Sequence, residues 1–113
     1  MADCLFCGIV SGDVPAQRVA ETARALAFRD INPQAPTHVL VIPKDHHRDL
    51  ADLAAADGLL DEVAALAHKV AEDEGVSETG YRVVVNTGPQ AGQVVFHVHA
   101  HVLGGRPLGW PPG

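Results

Sequence analysis

The sequence predicts an α+β domain: about five strands in an antiparallel sheet, one long helix, and a short helix at the N-terminus. Three observations carry that expectation. The chain has 113 residues, 47% apolar and 19% charged, which suits one folded domain over residues 1–113. Only one long stretch repeats apolar residues at helical spacing: Leu59, Leu60, Val63, Leu66, Ala67 and Val70. Short runs with strand character fall in two groups on either side of it.

The elements follow in order. Residues 4–12 read as a short helix closed by Gly12 and followed by Pro15. Residues 17–21 and 24–30 alternate enough for two short strands, with Glu21-Thr22-Ala23 as a hairpin turn. Asn32-Pro33-Gln34-Ala35-Pro36 is a loop, because two prolines remove donors and force extended backbone. The run from His38 to Pro43 reads as a strand buried on both faces. Asp57 is positioned to cap the long helix, which runs to Gly75, and Asp61, Glu62, Glu72, Asp73 and Glu74 give it a solvated acidic face. Strands at 81–86 and 94–103 complete the pattern, joined by Thr87-Gly88-Pro89-Gln90-Ala91-Gly92.

Composition narrows the partners. Eight basic residues against fourteen acidic ones leave a net charge of −6. Duplex binding draws most of its affinity from neutralised phosphates, so nucleic acid is not expected as a partner. Runs such as Val39-Leu40-Val41-Ile42 are far shorter than the roughly 20 residues of a membrane span, so no membrane association is expected. Nothing at the N-terminus reads as a secretory signal, and the expected location is cytoplasmic.

The chemistry-bearing residues cluster. Cys4 and Cys7 form a C-x-x-C pair, read first as half of a zinc site with distant ligands. A redox pair fits less well so near the chain start, and a pair of small, partly buried residues is the bland alternative. Of seven histidines, three alternate as His97, His99 and His101, two are adjacent as His46-His47, and His38 and His68 stand alone. His68 reads as solvated surface. On a strand, the alternating three project to one side roughly 6.5–7 Å apart. Val98 and Val102 take the other side, while Val95 shares the parity of the histidines. Such a row can bind a metal, since imidazole is a common zinc ligand. It can equally handle a phosphoryl group, one imidazole attacking phosphorus while its neighbours stabilise the oxygens. The Gly88-Pro89-Gln90-Ala91-Gly92-Gln93 approach would let backbone amides come close to an anion.

His97-Val98-His99-Ala100-His101-Val102 resembles the alternating histidine signature of the histidine triad superfamily. Cys4-Leu5-Phe6-Cys7, the stretch from Phe28 to His38, Ile42-Pro43-Lys44-Asp45-His46 and Ala91-Gly92-Gln93 look like that family's further blocks, in order. The ending, Leu103-Gly104-Gly105-Arg106 through Trp110-Pro111-Pro112-Gly113, is similar to its nucleotide-binding protein branch. The resemblance implies a nucleotide hydrolase cleaving the P–N bond of purine nucleoside 5′-phosphoramidates, conjugates of AMP or GMP. His99 would attack the α-phosphorus to form a nucleotidyl-histidine. His101 would donate to the phosphate and help shuttle the proton, with His38 supporting it, while His97 would orient. Asn86 and the backbone of Gly92, Gln93 and Val94 would cradle the phosphate. Asp30 would hold the ribose hydroxyls, and Phe6, Phe28, Ile31 and Leu40 would sandwich the base.

The same resemblance implies a structural zinc on Cys4, Cys7, His46 and His97, with His47 the rival of His46, and no organic cofactor. It implies a homodimer whose sheets join, with residues 104–113 a tail near the partner's active site. One position departs from the pattern: Val94 stands where many phosphoramidases carry a serine, which leaves proton delivery to His101, His38 or water. The alternative activities are cleavage of dinucleoside polyphosphates and a zinc-stabilised nucleotide-binding or scaffold role without turnover.

Overall fold

A computed structural model describes residues 4–113; the first three residues of the expected 1–113 domain lie outside the described residues. The elements are helix α1 (Leu5–Ser11), strands β1 (Arg18–Glu21), β2 (Ala25–Arg29) and β3 (Thr37–Pro43), helices α2 (Leu50–Ala55) and α3 (Leu59–Asp73), and strands β4 (Tyr81–Val85) and β5 (Ala100–Gly104). The sheet has five strands in the order β1-β2-β3-β5-β4, every neighbour antiparallel. The expected α+β architecture is therefore present.

Each central strand carries two different faces. Ala25 and Ala27 of β2 with Val39 and Val41 of β3 meet Leu59, Val63, Leu66, Ala67 and Val70 of α3 in one core. Leu26, Phe28, Leu40 and Ile42 point the other way and meet Phe6 and Ile9 of α1 in a second. Small residues face the broad helix and large ones face the short helix, so the alternation of strand side chains fixes which helix covers which side. All seven residues of β3 are buried, as a strand covered on both faces requires.

Two sequence expectations change, and two short elements appear that were not anticipated. Asp57 does not cap α3: the cap position is Gly58 at φ +72°, with no side-chain hydrogen bond. Asp57 stands one residue too early, and its carbonyl instead accepts from Arg24 Nη1 at 3.0 Å. Helix α2 was not expected; the Asp49 carboxylate caps it by accepting from the Asp52 amide at 3.0 Å. The strand expected over 94–103 begins only at Ala100, because residues 95–97 bend and the Val98 amide donates to His47 O at 2.7 Å, outside the sheet. His97 and His99 thus sit on the lead-in to β5, and only His101 lies within it. Finally, Pro89–Ala91 forms a 3-10 turn in the loop before that lead-in.

A forked ion pair fastens the end of α3 to the sheet. Arg29 Nη1 and Nη2 donate to Glu74 Oε1 and Oε2 at 2.8 and 2.9 Å. The Arg29 guanidinium holds the Glu74 carboxyl below the usual carboxylate range, chiefly through those hydrogen bonds. A depressed acid stabilises the fold above its unfolded pKa, and the contribution disappears as pH falls through the folded one. Glu74→Gln is expected to lower stability by about 1 kcal/mol at pH 7. The difference should vanish in strong acid, and equal urea midpoints at pH 7 would overturn the assignment.

Candidate functional site

His97 and His99 lie on the lead-in to β5, His101 lies within it, and His38 sits beside His101 on β3. His97 is fully buried, and its Nε2–H donates to the carbonyl of Pro43 at 2.8 Å. A carbonyl only accepts, so the proton is on Nε2 and the Nδ1 lone pair faces the sulfurs of Cys4 and Cys7, at 3.3 and 3.5 Å. His99 repeats the logic with the nitrogens exchanged. Its Nδ1–H donates to the backbone carbonyl of His97 at 3.0 Å, which leaves the Nε2 lone pair free. The His99 and His101 ring centres are 5.0 Å apart.

His101 takes its state from His38 across the sheet, where Leu40 pairs with His101 and His38 with Leu103. The Gln34 amide donates to His38 Nδ1 at 3.0 Å, so neutral His38 carries its proton on Nε2. That Nε2–H meets His101 Nδ1 at 2.9 Å, with Asp30 Oδ2 at 3.4 Å beside it. His101 must therefore accept at Nδ1 and keep a donor at Nε2. The chain of bonds places an unprotonated nitrogen on His99 beside a donor nitrogen on His101.

Asp30 is fixed as well. Its Oδ1 accepts from the Asn32 amide at 2.8 Å, and its own amide donates to His38 O at 3.0 Å. Phe6 stands edge-on to Phe28, His97 and His99, with ring centres at 5.5, 5.9 and 5.1 Å. Phe6, Phe28 and Leu40 belong to the second core, whereas Ile31 is 99% and Val94 83% exposed. Asn86 follows β4 directly and is half-buried, and among the described residues its side chain makes no hydrogen bond. The Gln93 carboxamide is spent on bracing the loop: Oε1 accepts from the Gly88 amide at 3.0 Å, and Nε2 donates to Arg48 O at 2.9 Å and Val95 O at 3.2 Å. The expected backbone cradle is also partly spent: the Gly92 amide donates to Pro89 O at 3.1 Å and the Gln93 amide to Gly88 O at 3.0 Å, so among the described residues only the Val94 amide of the three is left to meet a ligand.

Cys4, Cys7, His46 and His97 offer four ligand atoms, all within 4.8 Å of one another. A tetrahedral zinc with ordinary Zn–S and Zn–N lengths has N···S edges of about 3.5 Å. Three of the four N···S separations, 3.3 Å for Cys4–His97 and 3.5 Å for Cys7–His46 and Cys7–His97, match such edges, and the fourth lies within 4.8 Å. The donor set therefore fits zinc, and the Pro43 carbonyl on His97 Nε2 is the outer partner a ligating imidazole needs. His47 points elsewhere: its Nδ1 lies 3.3 Å from Asp52 Oδ1, too poorly aligned for a hydrogen bond.

Sequence reasoning missed three participants. The Pro43 carbonyl, the Gln34 amide and Arg106, which grips Gln34, act through or upon backbone. Only Gln34 carried a hint, being enclosed by two prolines in the loop before His38.

Burial, then the neighbouring His99 and His38, push the His101 pKa down to about 4, against a smaller upward pull from Asp30. Burial also pushes His38 below its ordinary value, again opposed by Asp30. Both rings are thus neutral at pH 7, as their shared hydrogen bond requires. Between the folded value and the ordinary 6.5 or so, the unfolded chain binds more protons at His101. Stability should therefore fall as pH drops from about 6.5 to 4. Urea titrations over that window should show a flatter slope for His101→Asn, and an unchanged slope would exclude His101 as the source.

The sequence matches the HIT domain family over residues 11–108. A maize protein named 14 kDa zinc-binding protein is 48% identical over 113 residues, which cover 96% of this chain and 87% of that one. The purine nucleoside phosphoramidase of Escherichia coli K12 is 43% identical over 108 residues, 95% of this chain and 91% of that one. The crystal structure of a HIT family hydrolase from Legionella pneumophila superposes with a TM-score of 0.94 at 50% identity, covering 98% of this chain and all of that one. With the alternating histidines in place and the likeness spanning nearly its whole length, this chain belongs to the HIT, or histidine triad, family.

Proposed function

We propose that the chain hydrolyses the P–N bond of purine nucleoside 5′-phosphoramidates through a nucleotidyl-histidine intermediate. One observation carries the reading: the Nδ1–H of His99 is tied to the carbonyl of His97, so its Nε2 lone pair faces outward beside His101. Similarity to a purine nucleoside phosphoramidase at 43% identity supports the substrate class.

His99 Nε2 attacks the α-phosphorus, forming a P–N bond to the ring. The bond to the leaving amine breaks, and the amine carries away its electron pair and takes a proton. His101 Nε2–H is the donor beside that departure, and the proton it gives the amine is returned when the attacking water of the next step loses one to His101 Nε2, while the 2.9 Å bond from His38 keeps Nδ1 an acceptor. Water then attacks phosphorus, the P–Nε2 bond breaks, and the nucleoside monophosphate leaves. The Val94 amide and Asn86 face the phosphate oxygens in this reading, because the Gly92 and Gln93 amides already donate to Pro89 O and Gly88 O. Asp30 Oδ2 takes the ribose hydroxyls, and Phe6, Phe28, Leu40 and the exposed Ile31 form the base side.

AMP release from adenosine 5′-phosphoramidate tests this directly. His99→Ala should lose at least about 10³-fold in kcat while still binding AMP. Turnover that survives the substitution would sink the covalent route.

Zinc on Cys4, Cys7, His46 and His97 supplies structure in this reading. Bound there, it would tie α1, and with it Phe6, to the segment that carries the triad. We also read the chain as a homodimer in the cytoplasm. Strand β4 is a sheet edge, Val83 on it is 47% exposed, and an apolar groove of Leu60, Ala64, Val83 and Val85 runs between it and α3. Joining two β4 edges would close both the hydrogen-bonding row and the groove. Arg82 donates to the carbonyls of Leu108 and Gly109, which carries the tail beside β4 and leaves Trp110 83% exposed for a second copy to cover. Among the described residues no helix is long and apolar enough to cross a membrane. Native mass spectrometry should find a dimer with one zinc per chain, and Cys7→Ser should lose the metal. A metal-free monomer would overturn both readings.

A further inference from the structure

The proton position on His38 is set by a loop amide, and that loop is gripped by one guanidinium. Arg106 donates from Nε and Nη2 to the carbonyl of Gln34, at 3.2 and 2.9 Å, and from Nη1 to Pro107 O at 3.0 Å. The amide of the same Gln34 donates to His38 Nδ1. Pro33 and Pro36 stiffen the residues around Gln34, so Gln34 is the joint left to be held. The fold brings the two segments together deliberately closely. Thr37 pairs with Gly104 at the end of the β3–β5 ladder. Gly105 follows at φ +90°, and a Cβ there would meet Pro36 Cβ at 2.9 Å. Among the described residues Arg106 makes no ion pair, so its fork on Gln34 is its main engagement.

We infer that Arg106 is a positioning residue for the proton relay, acting through Gln34 and His38 on His101. The inference rests on the reading of His101 as proton donor, but its geometry does not. With the Gln34 amide in place, His38 can carry its proton only on Nε2, and His101 is forced to keep its own on Nε2. If the amide drifts away, both rings can exchange tautomers together: His38 Nδ1 takes a proton, His101 Nδ1 becomes the donor to His38, and His101 Nε2 is left bare. No atom is gained or lost; two protons change nitrogens, and the donor beside His99 disappears.

The test pairs a spectroscopic readout with a kinetic one. Nitrogen-15 long-range spectra at neutral pH should show His38 and His101 as single Nε2–H tautomers in the wild-type protein. Arg106→Ala, a change at an exposed side chain, should give tautomer mixtures at both rings. It should also lower kcat for AMP release about three- to tenfold, with KM within about twofold. Arg106→Lys, which keeps one donor, should retain more of the single tautomer than alanine does. Wild-type tautomers in Arg106→Ala would overturn the inference, as would identical spectra for the lysine and alanine variants. Tautomer mixtures in the variant together with no AMP release from the wild type would support the clamp and count against the proposed reaction, so the two failures are distinguishable.

Discussion

His97 is the joint on which the rest of the site depends. Its Nε2–H is fixed on Pro43 at the end of β3, its Nδ1 lone pair is turned to the two cysteine sulfurs, and its backbone carbonyl orients His99. A buried imidazole with one nitrogen unpaired would lose a hydrogen bond's worth of free energy, about 1–3 kcal/mol. The sulfurs remove that penalty, and a metal there would do so more strongly. One residue thus meets the cysteine pair at the start of α1 with its ring and fixes the free nitrogen of His99 with its backbone. Rotating that ring would break the Pro43 bond and the sulfur contacts together.

That ring can be held only because the sheet is covered on both sides. Alanines in β2 let α3 approach one face, and Leu26, Phe28, Leu40 and Ile42 leave the other to α1. Burying a leucine or phenylalanine side chain is worth roughly 1.5–3 kcal/mol, so the second core is enough to seat a helix of seven residues that would be unstable alone. Phe6 belongs both to this core and to the aromatic contacts with His97 and His99. Packing and chemistry thus share one side chain, and loosening α1 would be felt at the triad before it unfolded the sheet.

Much of this is legible in the residues. The alternation of His97, His99 and His101 gave their common side correctly, even though regular pairing starts only at Ala100, because an extended lead-in alternates as a strand does. The long helix was clear from spacing, but its cap was misplaced: nothing in the sequence marks that Gly58 takes a left-handed conformation and pushes Asp57 out of reach. Helix α2 has six residues, too few to show a period, and its capping aspartate sits among other polar residues. The bonds that fix each tautomer were invisible for a different reason. Pro43 O, His97 O and the Gln34 amide are backbone groups, and any residue type would supply the two carbonyls. Sequence names the imidazoles; only the fold says which nitrogen of each carries the proton.

Val94 gives those tautomers added weight. A hydroxyl at this position could pass a proton to a leaving amine, and valine cannot. Its side chain is exposed and its backbone amide is uncommitted among the described residues, so the valine lacks a side-chain donor while leaving the amide in place. Positioned proton transfer is typically worth about 10²–10⁴ in rate. In the proposed reaction that contribution falls on His101, whose donor exists only while His38 keeps its proton on Nε2. A nucleotidyl-histidine can form without such help when the leaving group is already acidic, but an alkylamine needs it. The chain should therefore discriminate among leaving groups by their basicity more sharply than its own Val94→Ser variant, and the sharpness depends on a relay fixed through the Gln34 loop.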